Sequence, residues 1–266
     1  MADRKKIGLA LSGGVGYCMA HIGVFQALEA ADIRPDMIAG TSGGALIGAL
    51  YASGIKHDRL ESIAKSIKWT KLMGMGIIFK GLASSQPIEE LVESLLGKDR
   101  RFADMSIPLR VTAVDLISEQ KVIYGDDPSQ TVALPVRASC SLPMIFSPVK
   151  HQDKLLVDGG MLVQLPVAEL KERGMDAVIA VAFQRPRTVP GNIFEVTLRT
   201  LSIANYDRLA ESRRAADVLV DCNVGQASRW DLQAASDLIK VGRMAAEDAL
   251  ARNKQLLDGL LGTSAS

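Results

Sequence analysis

The chain has 266 residues, 48% hydrophobic and 23% charged, with 31 basic and 30 acidic residues for a formal net charge of +1. That balance excludes the massed positive charge of a nucleic-acid binder, and the apolar content suffices for a large core, so one domain over residues 1–266 is expected. Three widely spaced cysteines, Cys18, Cys140 and Cys222, suit reduced thiols better than a disulfide framework, and no cluster has metal-ligand spacing.

The N-terminal apolar run, residues 7–11, is too short for a signal-peptide core, so a cytoplasmic protein is expected. Residues 6–12 read as a buried parallel strand because their apolar run does not alternate. A loop containing Gly13, Gly14, Val15 and Gly16 follows, then residues 19–30 with helical spacing. A second strand begins at Met37, and the helix after Ser42 completes a βαβα unit with parallel strands. Residues 37–55 carry no charge over 19 positions, about the length of a membrane span. Five glycines interrupt that stretch, so a buried strand, turn and helix explain it better.

Residues 57–101 show an amphipathic helical pattern, with Leu60, Ile63, Ala64 and Ile67 early and Ile88, Leu91, Val92, Leu95 and Leu96 late. A Met-rich, glycine-hinged stretch, residues 69–79, interrupts it. Its plain reading is a core connection. Its functional reading is a mobile flap, with Leu72, Met73, Met75, Ile77, Ile78 and Phe79 contacting an acyl chain. Residues 109–115 and 121–124 read as strands and 132–139 as a short helix. A hairpin, 149–151 and 154–157, ends at Asp158, Gly159 and Gly160. Residues 177–183 read as another buried strand, 194–216 as one long helix, 218–222 as a last strand and 232–261 as one C-terminal helix.

Gly40-x-Ser42-x-Gly44 has the spacing of a nucleophile elbow, in which glycines on both sides let a strand turn sharply into a helix and lift the serine hydroxyl. The following helix N-terminus aims its N–H groups at developing negative charge. Such a serine needs a partner to take its proton. Of the histidines, His21 reads as a core residue, His57 as a solvated surface residue and His151 as a strand-edge residue. Asp158, at a glycine-lined strand end, is the better base, because desolvation there would raise its proton affinity. The loop at Gly13, Gly14 and Val15 suits an oxyanion, since glycines let consecutive N–H groups face one pocket. A dinucleotide-binding reading of Gly14-x-Gly16 with Asp36 is weak, because Met19 stands at the third glycine position.

The runs LSGGVGYCMAHIGV (11–24), GTSGG (40–44), ASCSLP (138–143), FSP (146–148) and DGGMLVQLP (158–166) resemble, in order and rough spacing, the patatin-like phospholipases of bacterial type. The resemblance covers residues 6–183 well, and the C-terminal strand and helices, 194–262, only in pattern. It implies a three-layer α/β/α sandwich around a mostly parallel sheet. It implies Ser42 as nucleophile, Asp158 as general base, and Gly13, Gly14 and Val15 as the oxyanion loop. Gly40, Gly43, Gly44, Gly159 and Gly160 would support them.

The implied activity is hydrolysis of lipid acyl esters without a cofactor or metal, with transient contact at a membrane surface, peripheral on its inner face. The family usually reads Gly-Gly-Gly-x-Arg-Gly where this chain has Val15, Tyr17 and Cys18 at the third glycine, the arginine and the last glycine. Valine disfavours positive φ, so a differently shaped loop is expected. Reduced activity or a preference for neutral esters follows, and the alternative is a weakened relative that binds acyl chains or a protein.

Overall fold

The computed structural model describes residues 5–66, 83–184, 189–225, 227, 228, 230 and 234–262. Its centre is a sheet whose parallel strands run β3 (Leu109–Asp115), β2 (Met37–Thr41), β1 (Ile7–Leu11), β7 (Ala177–Gln184) and β8 (Val218–Asn223). The antiparallel strand β4 (Gln120–Tyr124) pairs with the outer edge of β3, and β6 (Lys154–Asp158), paired in turn with β5 (Val149–His151), pairs with the C-terminal half of β3. Strand order reverses at β1, where the chain leaves first toward β2 and later returns through β7. Open α/β sheets place their ligand crevice outside the strand ends at such a point.

Strand alternation sorts the core into two faces. Leu9, Leu11, Ile38, Ile179 and Val181 point into the larger cluster. Ala10, Ala39, Val178, Ala180 and Ala182 point to the other side, where the sheet meets Val167 and Leu170 of helix α6 (Val167–Lys171). Alanines on that face let α6 and Leu209 lie close to the sheet. The larger face is covered by α1 (Ala20–Ala30), α2 (Gly43–Ala52), α4 (Gln86–Leu96), α5 (Ala133–Ser139) and α9 (Ala235–Arg252). Helices on both faces make the three-layer sandwich expected from the sequence. All ten residues of α2 are buried, as an all-apolar helix must be.

Helices α1 and α9 touch backbone to backbone. A Cβ on Gly23 would lie 1.9 Å from the Ile239 carbonyl oxygen, and one on Gly242 would lie 1.9 Å from that of Ala20. Both contacts exclude every other residue without a shift of one helix.

Two expected helices are each broken. The long helix at 194–216 is α7 (Ile193–Ala204) followed by α8 (Tyr206–Ala215). The C-terminal helix is α9 followed by α10 (Lys254–Leu261), and the expected residues 232 and 233 lie outside the described residues. Asparagine stands at both breaks, and each side-chain amide donates to the carbonyl four residues earlier, Asn205 to Leu201 at 3.1 Å and Asn253 to Ala249 at 2.8 Å. Asparagine competes locally with helical backbone in this way. The helix α3 (His57–Ser66) is where expected, and the flap residues Leu72, Met73, Met75, Ile77, Ile78 and Phe79 lie outside the described residues. Among the described residues no helix is long and apolar enough to cross a membrane, and 37–55 is the buried strand, turn and helix expected.

Replacing Gly23 with alanine forces α1 and α9 apart, and overpacking of this kind costs about 3 kcal/mol. A lowered urea midpoint at unchanged m-value is the expected result.

Candidate active site

Three chain reversals meet at the carboxyl ends of the strands. At the first, β2 turns into α2 through Ser42, whose backbone sits at φ 53 and ψ −127. Positive φ is strained for any residue with a side chain, and such strain concentrates at functional sites. The flanking glycines are required by close approach. A Cβ on Gly40 would lie 2.6 Å from Ala45 Cα, and one on Gly44 would lie 2.4 Å from the Leu11 carbonyl oxygen.

The second reversal follows β6. β4 pairs with Val111–Asp115 of β3, while β2 pairs with Leu109 to Thr112 and β6 with Ala113 to Asp115. Because β4 occupies one edge of β3 from Val111 to Asp115, overlapping both pairings, β2 and β6 share the other edge and meet end to end. Thr41 is opposite Thr112 and Asp158 opposite Ala113, consecutive residues of one strand. That register delivers Ser42 and Asp158 to the same cleft.

Asp158 is 1% exposed. Burial pushes its carboxyl up to about 6, against the opposing pull of the Ser42 hydroxyl and of the Gly160 N–H, which donates to Asp158 Oδ1 at 2.7 Å. The third reversal is the loop after β1. The Gly13 N–H donates to the Gln164 carbonyl at 3.1 Å, and the Gln164 amide donates back to the Gly13 carbonyl at 2.5 Å. The N–H groups of Gly14 and Val15 have no hydrogen-bond partner among the described residues. Gly13, Gly14 and Val15 line one open cleft with Ser42, Asp158, Gly160 and Gln164.

Val15 itself stands at φ 51. Valine disfavours that region, so the loop holds a conformation that a β-branched residue tolerates only at a cost of about 1–3 kcal/mol. Tyr17 and Cys18 turn inward. The Tyr17 hydroxyl donates to the Ala227 carbonyl at 2.9 Å and its ring stands 5.9 Å from that of Phe183, while Cys18 packs against Gly43 and burial pushes its thiol up to about 12. Gly159 packs against Thr112.

The histidines are elsewhere engaged. His21 is fully buried, with Nε2 at 3.0 Å from the Ser12 carbonyl, so Nε2 carries the proton and Nδ1 has no partner among the described residues. Burial lowers its pKa to about 4, which makes it a neutral support beneath the loop. His57, expected as a solvated surface residue, is part-exposed and lies against Glu29 at 3.0 Å. His151 is half-buried on β5. Asp36 accepts the Ile7 N–H at the far end of β1, away from the glycine loop, so it is not set for a dinucleotide ribose. Among the described residues no group of three His, Cys, Asp or Glu could hold a metal ion.

Several site residues carry no sequence signal of their own. Ser139 Oγ accepts the Ser42 N–H at 2.8 Å, and the Ser141 carbonyl accepts the Asp158 N–H at 3.0 Å. Thr41 Oγ1 is 2.8 Å from Thr112 Oγ1 and donates to the Val163 carbonyl. The outer wall of the cleft comes from Leu142 and Met161 and from Leu198, Leu201, Ser202, Asn205 and Leu209 of the broken helix pair. Ser139, Ser141 and Gln164 lie inside the quoted sequence blocks, which could have flagged their positions but not their roles.

The fold and this site define a three-layer α/β/α protein with a serine elbow facing a buried carboxylate. Solved structures share the fold: VipD from Legionella pneumophila superposes with a TM-score of 0.63 at 14% identity, over 94% of this chain and 67% of that one. Human GIVD cytosolic phospholipase A2 superposes with a TM-score of 0.52 at 12% identity, over 97% of this chain and 59% of that one. A family model described as patatin-like phospholipase matches residues 9–171, and the chain belongs to that family.

Its relatives include an uncharacterized NTE family protein of Mycobacterium tuberculosis, 30% identical over 192 residues, covering 71% of this chain and 52% of that protein. Lysophospholipase NTE1 of Saccharomyces cerevisiae is 29% identical over 183 residues, covering 66% of this chain and 11% of that protein. The chain thus spans about half the length of the first of these relatives and about a tenth of the second.

A carboxyl whose folded pKa lies above its unfolded value of 3.8 costs stability once it ionises, so that cost grows as pH rises from about 4 through about 6. Asp158→Asn is therefore expected to stabilise the fold at pH 8 by up to about 3 kcal/mol and to lose that advantage by pH 4. Urea unfolding of both forms at the two pH values measures it.

Proposed function

We propose that this chain is a serine acyl hydrolase that cleaves carboxylic esters of lipids. The observation that carries the reading is a buried carboxyl held near pKa 6 in the same cleft as a serine on a strained strand-to-helix turn. A base poised just below neutral pH is ionised in the cell yet still able to take a proton. Ser42 Oγ attacks the ester carbonyl while its proton passes to Asp158. The carbonyl oxygen becomes an oxyanion that the N–H groups of Gly14 and Val15 receive; Gly13, whose N–H is already used, shapes the loop.

Collapse of the tetrahedral intermediate breaks the ester C–O bond, and the alcohol leaves with the proton from Asp158. Water then attacks the acyl-Ser42 ester, with Asp158 taking its proton, and the fatty acid departs as Ser42 regains its hydrogen. No cofactor enters these steps. Leu142, Met161, Leu198, Leu201 and Leu209 along the cleft support an acyl chain as the bound group. Ile193 and Ile203, exposed on the helix whose inner residues line the cleft, support transient docking on a lipid surface by a cytoplasmic protein. The inward packing of Tyr17 and Cys18 leaves the cleft open, which weakens the alternative of a purely binding relative.

The test is hydrolysis of short and medium p-nitrophenyl esters. Wild type is expected to turn over, and Ser42→Ala and Asp158→Asn to lose up to about 10⁶ in rate. A fluorophosphonate should label wild type stoichiometrically and leave Ser42→Ala unlabelled. The rate should rise with pH to a plateau above about 6, since Asp158 acts as base only when ionised. Equal rates in all three forms would end the proposal.

A further inference from the structure

The Gln164 side chain occupies a position between two parts of the cleft. Its Nε2 donates to the Gly13 carbonyl, and its Oε1 lies 3.0 Å from where a Cβ on Gly160 would be, beside the loop that carries Asp158. The Gly13 carbonyl and the Gly14 N–H belong to one planar trans peptide, so they point in opposite directions. Whatever fixes the carbonyl fixes the N–H. The carbonyl can only accept, so the amide nitrogen of Gln164 is the group that faces it. The Gln164 main-chain carbonyl separately holds the Gly13 N–H, and no substitution of the side chain removes that second bond.

Resting on the acyl-hydrolase reading above, we propose that Gln164 is a positioning residue: its side-chain amide, by clamping the Gly13 carbonyl, aims the Gly14 N–H at the oxyanion. Gln164 touches neither nucleophile nor base in this role. It acts through the orientation of one peptide, so its loss weakens transition-state binding and leaves ground-state binding of the ester alone.

Gln164→Met keeps the length of the side chain without a donor, and Gln164→Glu keeps its shape while turning an acceptor toward the carbonyl. In the full chain with p-nitrophenyl butyrate, both are expected to lower kcat by about tenfold or more with KM within about threefold of wild type, the Glu variant losing more. An alkylboronic acid, which forms a tetrahedral anion on Ser42, should lose affinity by the same factor as kcat. A non-hydrolysable ether of the same chain length should bind unchanged.

The inference is overturned if both variants, folded as judged by their urea midpoints, keep kcat within about twofold of wild type. It is equally overturned if the boronic acid and the ether lose affinity together, because a general loosening of the cleft does that. An active wild type with unaffected variants removes the role of Gln164 alone. A wild type that neither turns over ester nor takes a fluorophosphonate removes the acyl-hydrolase reading and this one with it.

Discussion

Residues 139–141 hold both halves of the candidate site with two hydrogen bonds. Ser139 takes the N–H of Ser42, and the Ser141 carbonyl takes the N–H of Asp158, so one short segment at the end of α5 ties the elbow to the buried carboxyl. Neither bond is exposed, because Ser139 and Ser141 are both fully buried. A buried N–H left without an acceptor costs about 1–3 kcal/mol, so the native arrangement is strongly preferred over any in which the two loops drift apart. The segment is itself anchored outward. Arg137 pairs with Glu89 at 2.8 Å and reaches Ser85, whose hydroxyl meets that of Ser141 at 2.8 Å.

This bracing explains how the site carries strain. Val15 and Ser42 both stand at positive φ within one cleft, and each costs about 1–3 kcal/mol that the surrounding contacts must offset. At Ser42 the offset comes from its bond to Ser139 and from α2, which is buried along its whole length against the sheet. At Val15 it comes from neighbours on either side. Gln164 grips Gly13 through both its backbone and its side chain, and Tyr17 is fastened to Ala227 and Phe183. A valine can therefore stand at positive φ because the loop around it is fixed at both ends. Burial of Asp158 is a cost of the same kind, since the desolvation that raises its proton affinity also destabilises the fold once it ionises.

The most distant contribution to the cleft comes from α7 and α8. Their apolar residues recur at helical spacing straight through Asn205, so periodicity alone joins them into one helix. The asparagine amide turns back on Leu201, and Leu201, Asn205 and Leu209 all line the cleft. Asn253 breaks the C-terminal helix by the same bond. In each case the propensity difference is a few tenths of a kcal/mol, too small to locate the break from local sequence.

The sequence by itself determined the strands, whose buried runs do not alternate, and the elbow, because only glycine fits at 40 and 44. It also singled out Asp158, at a strand end against two glycines, ahead of the three histidines as the candidate partner of Ser42. What only the tertiary structure decided depends on contacts far apart in the chain. The sharing of one β3 edge by β2 and β6, the grip of Gln164 on Gly13 across 151 positions and the support of Ser42 by Ser139 are pairings between distant residues. Periodicity, spacing and propensity act over a few residues, and no local rule carries the register of one strand end against another.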